Sequence, residues 1–377
     1  MEPEADTPQT RRATRLSFMV AGLVSACWAP LVPLAKARSG IGEGELGLLL
    51  LCLGIGSLIA MPLTGWISAR AGARPMVLAG GAGLVLVLPA LAVFSAPLAL
   101  AGALLLFGAA LGTLDVAMNV HAVEVERAAP RPLMSGFHAM FSLGGIIGAG
   151  GMVALLSLGL SPFAATLVAS GLSALALGMA APDLLRAQGG EPLPLALPRG
   201  PVLLLAALTA IVFQVEGAVL DWGALLAIGR GLVTPEGAGL GFMLFATAMT
   251  VGRFTGDRVV LRFGAFAVLV AGGLCAIAGI ALLLLAPPVP ALAGFVLIGL
   301  GASNLVPVLF SLAGRQSVMP AGLAIAAVTT TGYAGILVAP AGIGYVAEAT
   351  SLPTAFWILA GFMALVPLSA RAITRAG

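Results

Sequence analysis

The sequence predicts an all-α membrane protein, with 12 transmembrane helices in two six-helix bundles. Three observations carry that expectation: 60% of the residues are hydrophobic and only 9% charged, the apolar stretches are of spanning length, and the basic residues crowd into alternate loops. A spanning helix needs about 20 mostly apolar residues, because each residue rises ~1.5 Å through a hydrocarbon core ~30 Å thick. Such stretches run approximately 17–35, 45–68, 76–94, 97–120, 133–157, 161–181, 201–228, 237–256, 265–286, 289–311, 321–346 and 352–370. A β-barrel would show alternation over strands of about ten residues instead. The 51 glycines follow no three-residue period, so they read as sites of close helix approach in lipid.

Charge sets the expected orientation. With a cytoplasmic N-terminus, the inner loops are 69–75, 121–132, 182–200, 257–264 and 312–320. Together with both termini, and with Arg253 counted at the inner end of its helix, they hold 15 of the 18 Lys and Arg. Lys36, Arg38 and Arg230 remain outside. This is the asymmetry of the positive-inside rule, and it predicts a multi-pass protein of the bacterial inner membrane with both termini cytoplasmic. The net charge of +3 therefore reports topology, and no nucleic-acid partner is expected.

The first stretch, with Arg11–Arg15 before it and Ala35-Lys36-Ala37 after, also has the outline of a signal peptide. Its apolar run exceeds the usual 7–15 residues, which favours a retained first span. Residues 1–16 are expected to be a cytoplasmic tail, 17–181 and 201–370 the two bundles, 182–200 a Pro- and Gly-rich cytoplasmic linker, and 371–377 a second tail. Cys27, Cys52 and Cys275 all fall inside spans without CxxC spacing and read as small core residues. One histidine with no His or Cys cluster around it is no metal site, and no cofactor is expected. Walker A, His-Glu-x-x-His and nucleophile-elbow patterns are not found, so neither direct use of ATP nor enzymatic catalysis is expected.

The two halves echo each other. Gly65-Trp66-Ile67-Ser68-Ala69-Arg70-Ala71-Gly72 closes span two, and Gly252-Arg253-Phe254-Thr255-Gly256-Asp257-Arg258 closes span eight. On these residues the chain resembles the major facilitator superfamily, whose signature between spans two and three is roughly G-x-x-x-D-R-x-G-R-[RK]. Gly65, Arg70, Gly72 and Arg74 match; Ala69 replaces the Asp and Ala73 an Arg. Asp257-Arg258 keeps an acid–base pair in the second half. The resemblance implies a latch at the inner helix ends, with the missing acid supplied by Glu124 or Glu126.

Leu111 through Asn119, with an acid and an Asn four residues apart, looks like the fourth helix of the fucose:proton symporter family. Ser303-x-x-x-Pro307-x-x-Phe310-Ser311-Leu312 is similar to its tenth helix, and Gly332 through Gly344 to its eleventh. That likeness implies a proton-coupling role for Asp115. The family's acid in helix one has no counterpart at Ala26-Cys27-Trp28-Ala29-Pro30, so a fucose substrate is not implied. Glu216-Gly217-Ala218 with Asp221-Trp222 looks like a bacterial branch of sugar-permease-like members. The drug–proton antiporters differ, with an Arg in the fourth helix and a Gly-Pro pair in the fifth.

A carboxylate at bilayer depth costs roughly 2.5–3.5 kcal/mol on insertion scales, so Asp115 and Glu216 are the candidate proton-coupling residues. Low dielectric penalises the charged form, which lets such a group cycle between protonated and charged states. Residues three or four apart share a helix face: Gly108, Gly112, Asp115 and Asn119 in span four, and Ser135, His138, Ser142 and Gly145 in span five. As antiparallel neighbours these spans would bring Asn119 and His138 to similar depth, with polar inter-helix glue as the plainer alternative. Candidate substrate contacts are Asn119, His138, Trp28, Gln214, Asn304 and Tyr333. Asp221 reads as a gate or, with Trp222, as an interfacial anchor.

The expected function is secondary active transport by alternating access, moving a small polar solute such as a sugar or related metabolite with protons, in a monomer. A proton-driven exporter of amphipathic compounds is the alternative within the class. A membrane sensor or intramembrane enzyme is the alternative outside it.

Overall fold

A computed structural model describes residues 7–129, 133–185, 197–319 and 321–375. Every regular element among them is helical. Eleven segments are long and apolar enough to cross a membrane. The chain folds as two compact units, one of residues 1–41, 49–192 and 235–240, the other of 42–48, 193–234 and 241–377.

The first helix, α1 (Pro8–Ser39), starts earlier than its apolar run. Thr7 accepts the Thr10 N–H at 3.1 Å while the Thr10 hydroxyl accepts the Thr7 N–H at 3.0 Å, and Pro8 fills the first turn. That reciprocal cap satisfies donors the helix start would otherwise leave open. The stretch read as tail up to residue 16 is therefore helical from Pro8. Its hydroxyls are hidden by bonding one turn back, Thr14 to the Thr10 carbonyl and Ser17 to that of Ala13, each at 2.9 Å.

After α1 come α2 (Glu43–Ala71), α3 (Ala73–Val93), α4 (Pro97–Ala128), α5 (Met134–Ser157) and α6 (Pro162–Ala180). Pro97 and Pro162 sit in first turns, where a missing N–H is harmless. The principal partner of α5 is α1; its contact with α4 is slight. A Cβ at Gly22 would collide with the Phe141 carbonyl oxygen, and one at Gly144 with that of Met19, so both helices need these glycines for backbone approach. The expected α4–α5 neighbourhood is thus corrected: His138 lies edge-on to Phe18 of α1, ring centroids 5.1 Å apart.

The second unit comprises α7 (Pro201–Gly229), α8 (Leu240–Leu285), α9 (Pro288–Ala302), α10 (Leu305–Arg315), α11 (Ala321–Ala349), α12 (Leu352–Met363) and α13 (Leu365–Arg375). Gly264, at φ +78°, breaks α8 into two spans, just as Gly72, at φ +83°, separates α2 from α3. Each break follows an arginine by two residues, Arg70 and Arg262. Helix therefore replaces the inner loop expected at 257–264. Asp257 and Arg258 stand well before the break, and Arg253 lies about midway along its span rather than at the inner end. Only a residue tolerant of positive φ ends this helix, whatever its charges.

Span ten is also discontinuous. Ser303 and Asn304 separate α9 from α10, because Pro307 offers no N–H to the Ser303 carbonyl. The Asn304 side chain spans the gap to α8, donating to the Gly252 carbonyl at 3.0 Å.

Two of the three basic residues expected outside have matching structural roles. Arg38 donates to the carbonyls of Leu91 (2.8 Å) and Phe94 (3.0 and 3.1 Å) at the end of α3. Arg230 donates to those of Leu284 and, at 2.9 Å, Ala286 at the end of α8. Each lies at the end of the first helix of its unit and caps the third span. A cation there meets both the open carbonyls and the negative helix end. Arg230→Ala is expected to lower the melting temperature, corresponding to a loss of about 1–3 kcal/mol, with Arg230→Lys intermediate. An unchanged melting curve would remove the cap from the stability account.

Candidate functional site

In the first unit the central group is Asp115 on α4. Asn119, one turn on, donates through Nδ2 to the Asp115 carbonyl at 2.9 Å and reaches its Oδ1 at 3.4 Å. Both side chains are half-buried, and no described residue forms an ion pair with Asp115. The glycines of the same stripe are already occupied. Gly108 and Gly112 seat the backbone of α2, where Ser57 donates to the Gly108 carbonyl at 2.7 Å. The carboxylate and Asn119 thus continue a packed seam rather than line a groove of small residues.

His121 was not singled out from the sequence, yet it is the most constrained polar side chain in this unit. It is 1% exposed. Its Nε2 accepts the Leu185 N–H at 2.8 Å, so in the neutral ring the proton is on Nδ1. Nδ1 lies 3.0 Å from the Thr14 hydroxyl, whose own hydrogen goes to Thr10; the ring therefore donates there. One imidazole ties α1, α4 and the chain leaving α6, beside an Arg12–Asp183 ion pair of 3.0 Å. Glu126 is likewise a local device: its carboxylate accepts the Leu133 N–H at the start of α5.

In the second unit Glu216 of α7 meets Arg253 of α8, Oε2 to the guanidinium at 3.7 Å. The side chains are 18% and 42% exposed, and Glu216 Oε1 is buried with no hydrogen-bond partner. Sequence reasoning named both residues but assigned Arg253 to a helix end, which hid the pairing. Phe213, on the same face as Glu216, lies against Tyr333 of α11, ring centroids 5.9 Å apart. The close approach of α7 and α11 comes from Gly332 and Gly335, which face Phe213 and Ala210. These side chains bring an acid, a base and an aromatic pair into one unit.

The remaining candidates divide. Trp28 is 1% exposed and Trp222 is fully buried, each with an unpartnered indole N–H. Trp28 thus offers no open ring face, and Trp222 is a core residue, so the anchor reading of Asp221-Trp222 does not hold. Asp221 is buried without an ion pair among the described residues. Gln214 is half-buried. Asn304 is engaged with Gly252 and with Ser303 Oγ, at 3.0 Å each. Of the signature residues, Gly65 faces open space, and Arg70 stacks on the Trp66 ring at 3.8 Å. Among the described residues no cluster of His, Cys, Asp or Glu could hold a metal ion.

Comparison with known proteins agrees with this architecture. Residues 16–320 match the family model of the Major Facilitator Superfamily. The chain is 50% identical over 367 residues to an uncharacterized MFS-type transporter of Yersinia pestis, covering 96% of this chain and 95% of the relative. It is 34% identical over 372 residues to an uncharacterized transporter of Sinorhizobium fredii, covering 95% and 97%. It is 32% identical over 364 residues to the membrane protein MosC of Rhizobium meliloti, covering 91% and 85%. Among solved structures it is similar to the nucleoside transporter NupG, with a TM-score of 0.75 at 16% identity, covering 98% of this chain and 100% of that one. A point mutant of NupG gives 0.78 at 13% identity, covering 97% and 98%. With its helical membrane fold and full-length relatives, the chain belongs to the major facilitator superfamily of transporters.

Proposed function

We propose that the protein is a proton-coupled secondary transporter of a small polar solute, a sugar or related ring-bearing metabolite. The observation that carries this reading is a carboxylate at mid-helix in each unit, Asp115 and Glu216, neither neutralised by a close ion pair; Asp221, further along α7, is also buried without one among the described residues. Asp115 has only an Asn beside it, and Glu216 has a guanidinium at 3.7 Å and one orphaned oxygen. Such groups are costly in an apolar helix and are tolerated where their charge changes during the work cycle. Protonation removes the charge and with it the penalty against reorientation; deprotonation on the other side restores it.

Asn119 and His138 in the first unit, and separately Gln214 and Tyr333 in the second, are assigned as solute contacts, each set offering donors and acceptors of the kind a polar solute requires. The likeness to the nucleoside transporter NupG is in keeping with a ring-bearing solute. Asp221, Asp257, Arg258 and the Gly65–Arg74 run are assigned to gating. The protein is assigned to the inner membrane as a monomer with both termini cytoplasmic. Reporter tags at 232–236 should be external and tags at the C-terminus cytoplasmic; the reverse pattern would overturn this orientation.

The direct test is a thermal-shift panel of sugars and related metabolites on the purified protein, followed by uptake into proteoliposomes with and without an imposed pH gradient. Accumulation that follows the proton gradient supports the proposal. Binding followed by uptake indifferent to pH would reject proton coupling, and preferential efflux of amphipathic compounds would favour the exporter reading.

A further inference from the structure

Arg253 is a weakly satisfied charge in the middle of a span of the second unit. It stands midway along its span, where a guanidinium does not face lipid and belongs to a polar cavity or a partner. Its one ion pair among the described residues is the 3.7 Å contact with Glu216, too long for a hydrogen bond. Its side chain is 42% exposed. At the same level α10 begins in mid-span, with Asn304 bonded to the carbonyl of Gly252, the residue before Arg253. Beside them Phe213 and Tyr333 present ring surface, and Tyr333 is 38% exposed.

We infer that Arg253 is the binding residue for a carboxylate on the transported solute, and that Glu216 is the internal carboxylate which the solute displaces. The solute class is a ring-bearing monocarboxylate, such as a hexuronate. Its carboxylate makes the paired N–H···O contacts that Glu216 does not make, and its ring lies against Phe213 and Tyr333. This deepens the transport reading above and rests on it.

Displacement couples one proton through Glu216, beside the one assigned to Asp115. When the anion takes Arg253, Glu216 loses the counter-charge it has among the described residues and takes up a proton, so one anion and one proton enter together at this site and it stays neutral. On release the proton leaves and the Glu216–Arg253 contact re-forms. The other ionisable groups on the surrounding helices are Asp221 on α7, Asp257, Arg258, Arg262 and Cys275 on α8, Arg315 on α10, and Tyr333, Tyr345 and Glu348 on α11. Neither Asp221 nor Arg258 forms an ion pair with Arg253 or Glu216 among the described residues.

The test is calorimetric binding to the purified full chain across a pH series, with hexuronates and ring monocarboxylates each paired with its neutral alcohol or amide. The carboxylates should bind and their neutral partners should not. Affinity should rise about tenfold per pH unit of acidification, with one proton taken up per anion. Glu216→Gln should bind the anion with no proton uptake and a flat pH profile, while Asp257→Asn keeps the wild-type slope. Arg253→Gln should abolish binding and Arg253→Lys weaken it. The double variant Glu216→Gln/Arg253→Gln, which leaves no unpaired charge, controls for folding and should also fail to bind.

Equal or better binding of the neutral partners overturns the inference. So does carboxylate binding that survives Arg253→Gln, or a panel in which no carboxylate binds. A neutral sugar that accumulates with protons would leave the transport reading standing and remove this one. Carboxylate binding without any uptake would do the opposite.

Discussion

Asp115→Asn is expected to cut gradient-driven accumulation about tenfold at a gradient of one pH unit while leaving solute exchange intact. Each proton coupled per solute supports about tenfold accumulation per pH unit, since a tenfold ratio and one pH unit are both ~1.4 kcal/mol. The variant should lose the share carried by Asp115 and keep that carried by Glu216. Asparagine keeps the shape of the protonated acid but cannot lose a proton, so the charge change that would report the gradient at this residue is gone. The local fold should persist, because the stronger of the two Asn119 contacts is to the Asp115 backbone carbonyl, which the substitution does not touch. That separates the outcomes: a structural Asp115 would lower melting temperature and impair exchange and accumulation together. Full accumulation by the Asn variant would remove this residue from the coupling step.

The twelve apolar stretches were legible in the sequence because bilayer thickness imposes length and composition directly, and neither depends on tertiary detail. The helix ends were less so. At span eight the charges of Asp257, Arg258 and Arg262 pointed to a loop, while three glycines, Gly252, Gly256 and Gly264, competed to mark its edge. Only Gly264 takes positive φ; the other two face Ser303 and Asn304, a packing role no local pattern reveals. Pro307 did carry the signal for the break in span ten, since the carbonyl it leaves free belongs to Ser303.

The site shows the same division. The cost of a charge in lipid identified Asp115 and Glu216, a property of single residues. Their partners depend on which helices touch. Sequence adjacency placed α5 beside α4, whereas the Gly144-x-x-x-Gly148 spacing, with Gly22 opposite, was the signal for α1. Arg253 was assigned to an inner end because basic residues collect there, and that general bias concealed a specific pair. A superfamily signature marks where the chain turns, and this chain uses it so: the element common to the two halves is an arginine, one residue and a glycine at positive φ. The acid is dispensable to that turn, which is consistent with Ala69 in the first half.

His121→Ala is expected to be among the most destabilising single changes in the first unit. It opens a cavity at a residue 1% exposed and leaves the buried Leu185 N–H without its acceptor, while the Thr14 hydroxyl keeps its bond to the Thr10 carbonyl. Leaving a buried donor unpaired costs about 1–3 kcal/mol, and the cavity adds to that, for a total of about 2–4 kcal/mol. The effect should be local before it is global. Leu185, 7% exposed, is held by the imidazole at the point where the chain leaves the first six spans. A Leu185→Cys reporter should therefore react faster with a thiol reagent in the His121→Ala background, at temperatures below unfolding. His121→Asn retains one donor and one acceptor on a shorter side chain and should recover part of the stability but not the full protection of the reporter thiol. If instead His121→Ala left both melting and the reactivity of that thiol unchanged while abolishing proton-driven uptake, the imidazole would belong to the proton path and not to the clasp.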